Sequence, residues 1–117
     1  MKRDRLCLAV HCVLLAGIVV LVIWPLHPIA ISWGYNATGS RVLRRLQNTP
    51  DLPPEARYAQ ATQAGQLFQT ALAWDPLNHR AYTNLAAVYM VWDDVASANR
   101  ALARAALLSP RGKDAGP

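Results

Sequence analysis

A charge-free stretch near the N-terminus limits most strongly what this chain can fold into. No Asp, Glu, Lys or Arg occurs from Leu6 to Tyr35, and all formal charges lie in residues 1–5 or 41–114. Its first part, Leu6–Trp24, is rich in Leu and Val, and about 20 apolar residues in a helix cross a hydrocarbon core of about 30 Å. With 117 residues, the chain is too small to cover such a helix with a core of its own. We therefore expect a transmembrane helix, and we exclude an ordinary soluble domain, a disordered chain and a disulfide scaffold.

The residues after the span predict where it ends. Pro25 and Pro28 should end or kink the helix, and Trp24, Trp33 and Tyr35 suit the aromatic belt of a membrane interface. A cleavable signal peptide is the main alternative. Its apolar region is usually about 7–15 residues long and ends at a small-x-small site, whereas the run here is longer and no good site follows it. We expect an uncleaved signal anchor.

Basic residues on the two sides of the span predict its orientation. Lys2, Arg3 and Arg5 directly precede it, and the first basic residue beyond it is Arg41, followed by Arg44 and Arg45. The basic residues closest to a span usually stay in the cytoplasm. We predict a single-pass protein of the bacterial inner membrane, with a cytoplasmic N-terminus and a periplasmic C-terminal part.

His11 is an ionisable residue inside the apolar run, and such residues are candidates for function. One interpretation is a haem or chlorophyll-type pigment ligand. The other, which we prefer, is a neutral histidine hydrogen-bonded near the cytoplasmic interface. No further residue pattern indicates a cofactor, and we expect none.

Beyond the span, helical runs alternate with breakers. We divide the chain into a basic flank and anchor (1–35), a linker with a possible short helix at Ser40–Gln47 (36–54), a helical domain (55–110) and a flexible tail (111–117). Within the domain, Asp75-Pro76 and Asp93-Asp94 separate three helices. The predicted class is all-α, with a transmembrane helix followed by a small antiparallel helical domain.

The helical domain repeats itself at an offset of 34 residues. Ala64, Phe68, Ala71 and Pro76 align with Ala98, Leu102, Ala105 and Pro110 in this order. Within 78–110, Tyr82, Leu85, Ala86 and Tyr89 occupy the aromatic, leucine, small and aromatic positions of a 34-residue helix-turn-helix unit. This segment resembles a tetratricopeptide repeat, and the resemblance covers about one and a half repeats. The missing first helix would fall near residues 45–58, where Pro50, Pro53 and Pro54 forbid a continuous helix.

The resemblance implies a scaffold that binds protein segments in a groove lined by the first helix of each pair. Here Arg80, Thr83, Asn84, Ala87 and Met90 would face that groove. So few repeats leave apolar faces uncovered, and we expect Ala101, Leu107 and Leu108 to be partly open. The expected partners are the lipid bilayer, other proteins of a membrane complex and a second copy of the chain.

No pattern indicates catalysis. The sequence has no phosphate-binding glycine loop, nucleophile elbow or metal-binding helix motif, so we expect no enzyme. The basic residues do not cluster beside aromatic residues outside the span, and we expect no nucleic-acid binding. Two functions remain. The first is a membrane-anchored docking domain that tethers, assembles or stabilises a complex. The alternative is an accessory structural subunit of a respiratory or photosynthetic complex, with a pigment or haem contact through the transmembrane helix.

Overall fold

The computed structural model describes residues 2–109, and this range consists of helices and short turns without a strand. The α-helices are α1 (Lys2–Ile23), α2 (His27–Gln47), α3 (Pro54–Trp74), α4 (His79–Val91) and α5 (Val95–Leu108). A single 3₁₀ turn, Trp24–Leu26, joins α1 to α2. The prediction of an all-α chain with a long apolar N-terminal helix is confirmed. Pro110 and the predicted tail, 111–117, lie outside the described residues.

The first two helices form one continuous rod. Together with the 3₁₀ turn they make 46 residues of helical backbone, Lys2–Gln47, about 69 Å long at about 1.5 Å per residue. No residue of α1 is buried. By length and composition, the rod contains a segment that is able to cross a membrane.

At the prolines the α-helix is interrupted, as the sequence leads us to expect, since α1 ends at Ile23 and a 3₁₀ turn follows, but helical backbone then continues. Pro25 lies in the 3₁₀ turn, and Pro28 lies in the first turn of α2, where a missing N–H is tolerated. Leu26 and His27 both keep right-handed helical backbone angles. The Trp24 carbonyl, four residues before Pro28, accepts a hydrogen bond from His27 Nδ1 at 2.5 Å. The rod therefore continues beyond the span and into the domain.

The segment predicted to be a linker is part of the helical domain. Residues 36–47 belong to α2, and its buried residues Ser32, Gly39, Leu43 and Leu46 pack on α3. The prolines do exclude a helix over 45–58, because residues 48–53 form the loop between α2 and α3. The helix that pairs with α3 is α2, which precedes this loop. The domain thus has two complete antiparallel helix pairs, α2–α3 and α4–α5.

The main core lies between α2, α3 and α4. Its buried members are Leu43, Leu46, Ala61, Ala64, Phe68, Leu85 and Val88. Two glycines allow the helices to approach. A Cβ on Gly39 would lie 2.6 Å from Phe68 Cε1, and one on Gly65 would lie 3.2 Å from Val88 Cγ1. Each glycine thus marks a point where one helix crosses the next.

A buried polar cluster ties the start of α2 to the turn between α3 and α4. Ser32, which is fully buried, donates its hydroxyl to the Ala71 carbonyl at 2.6 Å and accepts from Asn78 Nδ2 at 2.9 Å. Asn78 Oδ1 in turn accepts from the Ala81 N–H and caps α4. Asp94 caps α5 in the same way, and its hydrogen bonds to Ser97 lower the pKa of its carboxyl group.

The 34-residue echo is visible in burial. Ala64 and Ala98 are both buried, and so are Ala71 and Ala105. Leu85 and Ala86 are buried as well, whereas Tyr82 and Tyr89 are half-buried and line a cleft beside Arg100 and Arg104. Pro76 lies exposed in the turn after α3.

One pair in the echo differs. Phe68 is completely buried, but Leu102, 34 residues later, is 47% exposed and is not enclosed between helices. The reason is position, because α3 lies between α2 and α4 in the main core, while no helix within residues 2–109 follows α5.

Candidate protein-interaction surfaces

A polar cleft of about 260 Å³ lies between α2 and α4, the first helices of the two pairs. Its lining residues are Trp33, Asn36, Ala37, Ser40, Asn78 and Arg80. This is the side on which the sequence predicted a groove, and Arg80 is exposed there. A cleft with amide and hydroxyl groups on its walls and a guanidinium at its edge can hydrogen-bond a peptide backbone.

The two walls of this cleft are joined by Asn84. Its side-chain nitrogen donates to Asn36 Oδ1 at 2.9 Å and to Ser40 Oγ at 3.0 Å. Both donor hydrogens of the amide are therefore used within the domain, and only its carbonyl oxygen is left for a bound segment. Asn84 primarily holds α4 against α2, a role that the sequence did not indicate.

The other predicted groove residues do not form one surface. Ala87 is half-buried and packs on the main core. Thr83 is exposed, its hydroxyl donates to the His79 carbonyl, and it lines a different cleft on the α5 side. Met90 is exposed at the end of α4 that is far from α1. Of the five, only Arg80 lines the cleft between α2 and α4.

The second surface is the uncovered face of the pair α4–α5, which we call the open face. It is a cleft of about 570 Å³. Its lining residues are His79, Thr83, Leu102, Ala103, Ala105, Ala106 and Ser109. Small residues form its floor, so a helix could approach it as closely as α4 approaches α3. Leu107, at the same end of α5, is 80% exposed, as expected, and Leu108 is half-buried. Ala101 is buried, contrary to the expectation, because it packs with Ala86 and Ala98.

His11 has a partner within its own helix. Its Nδ1 donates to the Cys7 carbonyl at 2.7 Å, and the ring is exposed on α1. Within residues 2–109, no group of three or more His, Cys, Asp or Glu side chains could hold a metal ion.

Sequence reasoning missed the contribution of α2 to both the core and the cleft. The spacing of Asn36 and Ser40, four residues apart, places them on one face of a helix, and Gly39 beside them is typical of a helix crossing. These signals were present, but the prolines had suggested a linker. Comparison with models of protein families, with curated proteins and with solved structures found no match to this chain.

Proposed function

We propose that this chain is a single-pass membrane protein whose helical domain, α2–α5, docks on another membrane protein to tether, assemble or stabilise a complex. In this proposal α1 spans the bilayer as a signal anchor with its N-terminus in the cytoplasm. The domain lies on the other side, which in a bacterial inner membrane is the periplasm. The domain acts as a tetratricopeptide-like scaffold and not as an enzyme.

The exposed surface of α1 supports the anchor. Large apolar side chains cover every side of this helix, and none of them is buried by the rest of the chain. A helix that is apolar all round requires an apolar environment. The basic residues Lys2, Arg3 and Arg5 stand at its start, in agreement with a cytoplasmic N-terminus.

The difference between Phe68 and Leu102 is the observation that carries the docking function. The two side chains hold the same place in the 34-residue echo, and Phe68 is buried in the main core, to which both α2 and α4 contribute residues. The open face around Leu102 has no such cover within the described residues. An exposed apolar face rimmed by polar groups marks an interaction site. Because the equivalent residue Phe68 is covered by helices of this chain, we infer that a helix also fits the open face.

Photo-crosslinking in native membranes tests this proposal. The photoreactive residue p-benzoylphenylalanine is placed at Leu102. The control is the same residue at Tyr58, a position of similar exposure near the start of α3. We expect a discrete crosslinked product with one membrane protein from position 102 and none from position 58. The variant Leu102→Arg should abolish co-purification of that protein while keeping the helix content of the chain.

Two results would contradict the docking function. One is equal crosslinking from both positions, which would indicate random collision in the membrane. The other is full co-purification with Leu102→Arg, which would exclude the open face. A product of twice the chain mass would instead identify the partner as a second copy.

A further inference from the structure

The end of the domain that lies beside α1 differs from the opposite end. Because α2 to α5 alternate in direction, the start of α2, the turn between α3 and α4 and the end of α5 lie together. Two contacts fix this arrangement. The rings of His27 and Trp74 meet edge to face with centroids 6.3 Å apart, and Asn78 donates to Ser32. We call this the near end, and the end with the loops α2–α3 and α4–α5 the far end.

Large apolar side chains are exposed at the near end. Trp74 is 42% exposed at the last residue of α3, and Leu77, in the turn that follows, is 68% exposed. Trp24 and Trp33, which lie on the adjacent rod, are also exposed. Tryptophan with an apolar body and a single N–H donor is the side chain best suited to the boundary between lipid headgroups and acyl chains.

Charged side chains stand at both ends. At the far end the acidic residues Asp51, Glu55, Asp93 and Asp94 lie together with the basic residues Arg44, Arg45 and Arg57. Near α1 the domain has Asp75, whose carboxylate accepts the Leu77 N–H at 3.1 Å, and the exposed Arg80. The Arg80 guanidinium is a bidentate partner for lipid phosphate.

The height of the near end along the rod agrees with the thickness of a bilayer. If the hydrocarbon core ends near Trp24, His27 lies about 5 Å farther along a helix, within the headgroup layer that brings a bilayer to about 40–45 Å in total. The residues without charge run from 6 to 40, about 52 Å as a helix, which is enough to cross this whole thickness. Trp74, in contact with His27, is therefore at headgroup depth.

We propose that the near end of the domain docks on the surface of the membrane that α1 crosses. Trp74 and Leu77 enter the boundary between headgroups and acyl chains, and Arg80 binds lipid phosphate. This inference rests on the proposed membrane anchor. Two attachments, the span and the near end, hold the domain upright on the bilayer, with the open face directed sideways along the membrane plane toward other membrane proteins.

Spin-label accessibility in vesicles tests the docking. The full chain, with Cys7→Ser and Cys12→Ser, carries a single label at Leu77→Cys, at Met90→Cys or at Val13→Cys. Met90 is the matched control, because it is similarly exposed (56%) but lies at the far end, and Val13 reports the span. Each protein is reconstituted in phosphatidylcholine–phosphatidylglycerol vesicles. Relaxation by oxygen, which concentrates in lipid, is compared with relaxation by a water-soluble nickel complex.

We expect the oxygen-to-nickel ratio at position 77 to exceed the ratio at position 90 several-fold and to approach the value at position 13. Adding Trp74→Ser and Arg80→Gln should return position 77 to the ratio of position 90 without loss of helix content. A water-like position 77 with a lipid-like position 13 would overturn the docking and leave the anchor intact. A water-like position 13 would overturn the anchor itself, and lipid-like values at both 77 and 90 would overturn the upright orientation.

Discussion

His27 donates its Nδ1 hydrogen to the backbone carbonyl of Trp24 at 2.5 Å. In a regular α-helix this carbonyl would accept from the backbone N–H of residue 28, and that residue is a proline without an N–H. In the 3₁₀ turn Trp24–Leu26 the backbone bonds run to the third residue, so the His27 N–H serves this carbonyl and the histidine side chain adds a second donor within the same turn. Both donors support helical backbone through Pro25 and Pro28, from the span into the domain.

The variant His27→Leu should therefore remove the side-chain donor to the Trp24 carbonyl and lower the free energy of unfolding by about 0.5–1.5 kcal/mol. Combining it with Pro28→Ala, which restores a backbone N–H, should recover most of this loss. Unfolding in detergent micelles, followed by circular dichroism, measures both effects.

The control for this pair is Thr38→Ala. The Thr38 hydroxyl also donates to a carbonyl of its own helix, that of Gly34 at 3.0 Å, but this carbonyl lies in a regular helical turn where the backbone N–H four residues later is present. Its loss should change stability by less than about 0.5 kcal/mol. Equal effects of His27→Leu with and without Pro28→Ala would contradict the proposed role of the histidine.

The crossing of α2 and α3 makes a second prediction. Gly39→Ala would place a methyl group 2.6 Å from a Phe68 ring that has no exposed surface. Overpacking costs about 1–3 kcal/mol, and the gain in helix propensity returns about 1 kcal/mol. We expect a net loss of stability, measured by the same unfolding assay.

Gly34→Ala is the matched control in the same helix, because nothing lies within 4 Å of its Cβ position. It should raise stability by up to about 1 kcal/mol. Phe68→Leu, which shortens the side chain opposite, should reduce the penalty of Gly39→Ala. The close approach of the two helices would be refuted if both glycine variants were stabilising.

These helices also show what the sequence could and could not predict. The bounds of α3, α4 and α5 follow from breakers and caps, since Asp75-Pro76 and Asp93-Asp94 act locally. Whether the segment of α2 joins the domain depends instead on contacts with residues that are far away in sequence. Gly39 and Ser32 gain their meaning only from Phe68 and Asn78, which are far away in sequence. The prediction of the groove residues was wrong in part for the same reason. The partners of Asn84 lie in α2, and the prolines led to the interpretation of this segment as a linker.

The buried hydrogen bond between Ser32 and Asn78 makes a third prediction. Ser32→Ala leaves the Asn78 amide nitrogen buried without a partner and should cost about 1–3 kcal/mol. Asn78→Ser keeps an oxygen that is able to cap α4 but loses the donor to Ser32. A double-mutant cycle with these two variants should give a coupling energy of about 0.5–3 kcal/mol.

Thr70→Ala serves as the control for this cycle, since its hydroxyl donates within α3 to the Gln66 carbonyl near the surface. It should show no coupling to Asn78→Ser. Additive effects of Ser32→Ala and Asn78→Ser would indicate that the link between α2 and the α3–α4 turn carries no energy. The domain would then be joined to the rod by apolar packing and by the hydrogen bonds of Asn84.

The last prediction concerns the two equivalent positions of the echo. Phe68→Ala removes a fully buried ring and should lower stability by about 3–5 kcal/mol. Leu102→Ala removes a side chain that is 47% exposed, and about half of the roughly 1.5–3 kcal/mol of a fully buried leucine is at stake. In the isolated protein the effect at 102 should therefore be about 1 kcal/mol.

Complex formation in native membranes should show the reverse order, with the larger loss for Leu102→Ala. This variant removes an apolar side chain from the open face while leaving the domain folded. Thermal unfolding of the purified protein and co-purification from membranes measure the two effects separately. A loss of stability at Leu102 as large as that at Phe68 would mean that the open face is already covered within the chain, and the docking site would have to lie elsewhere.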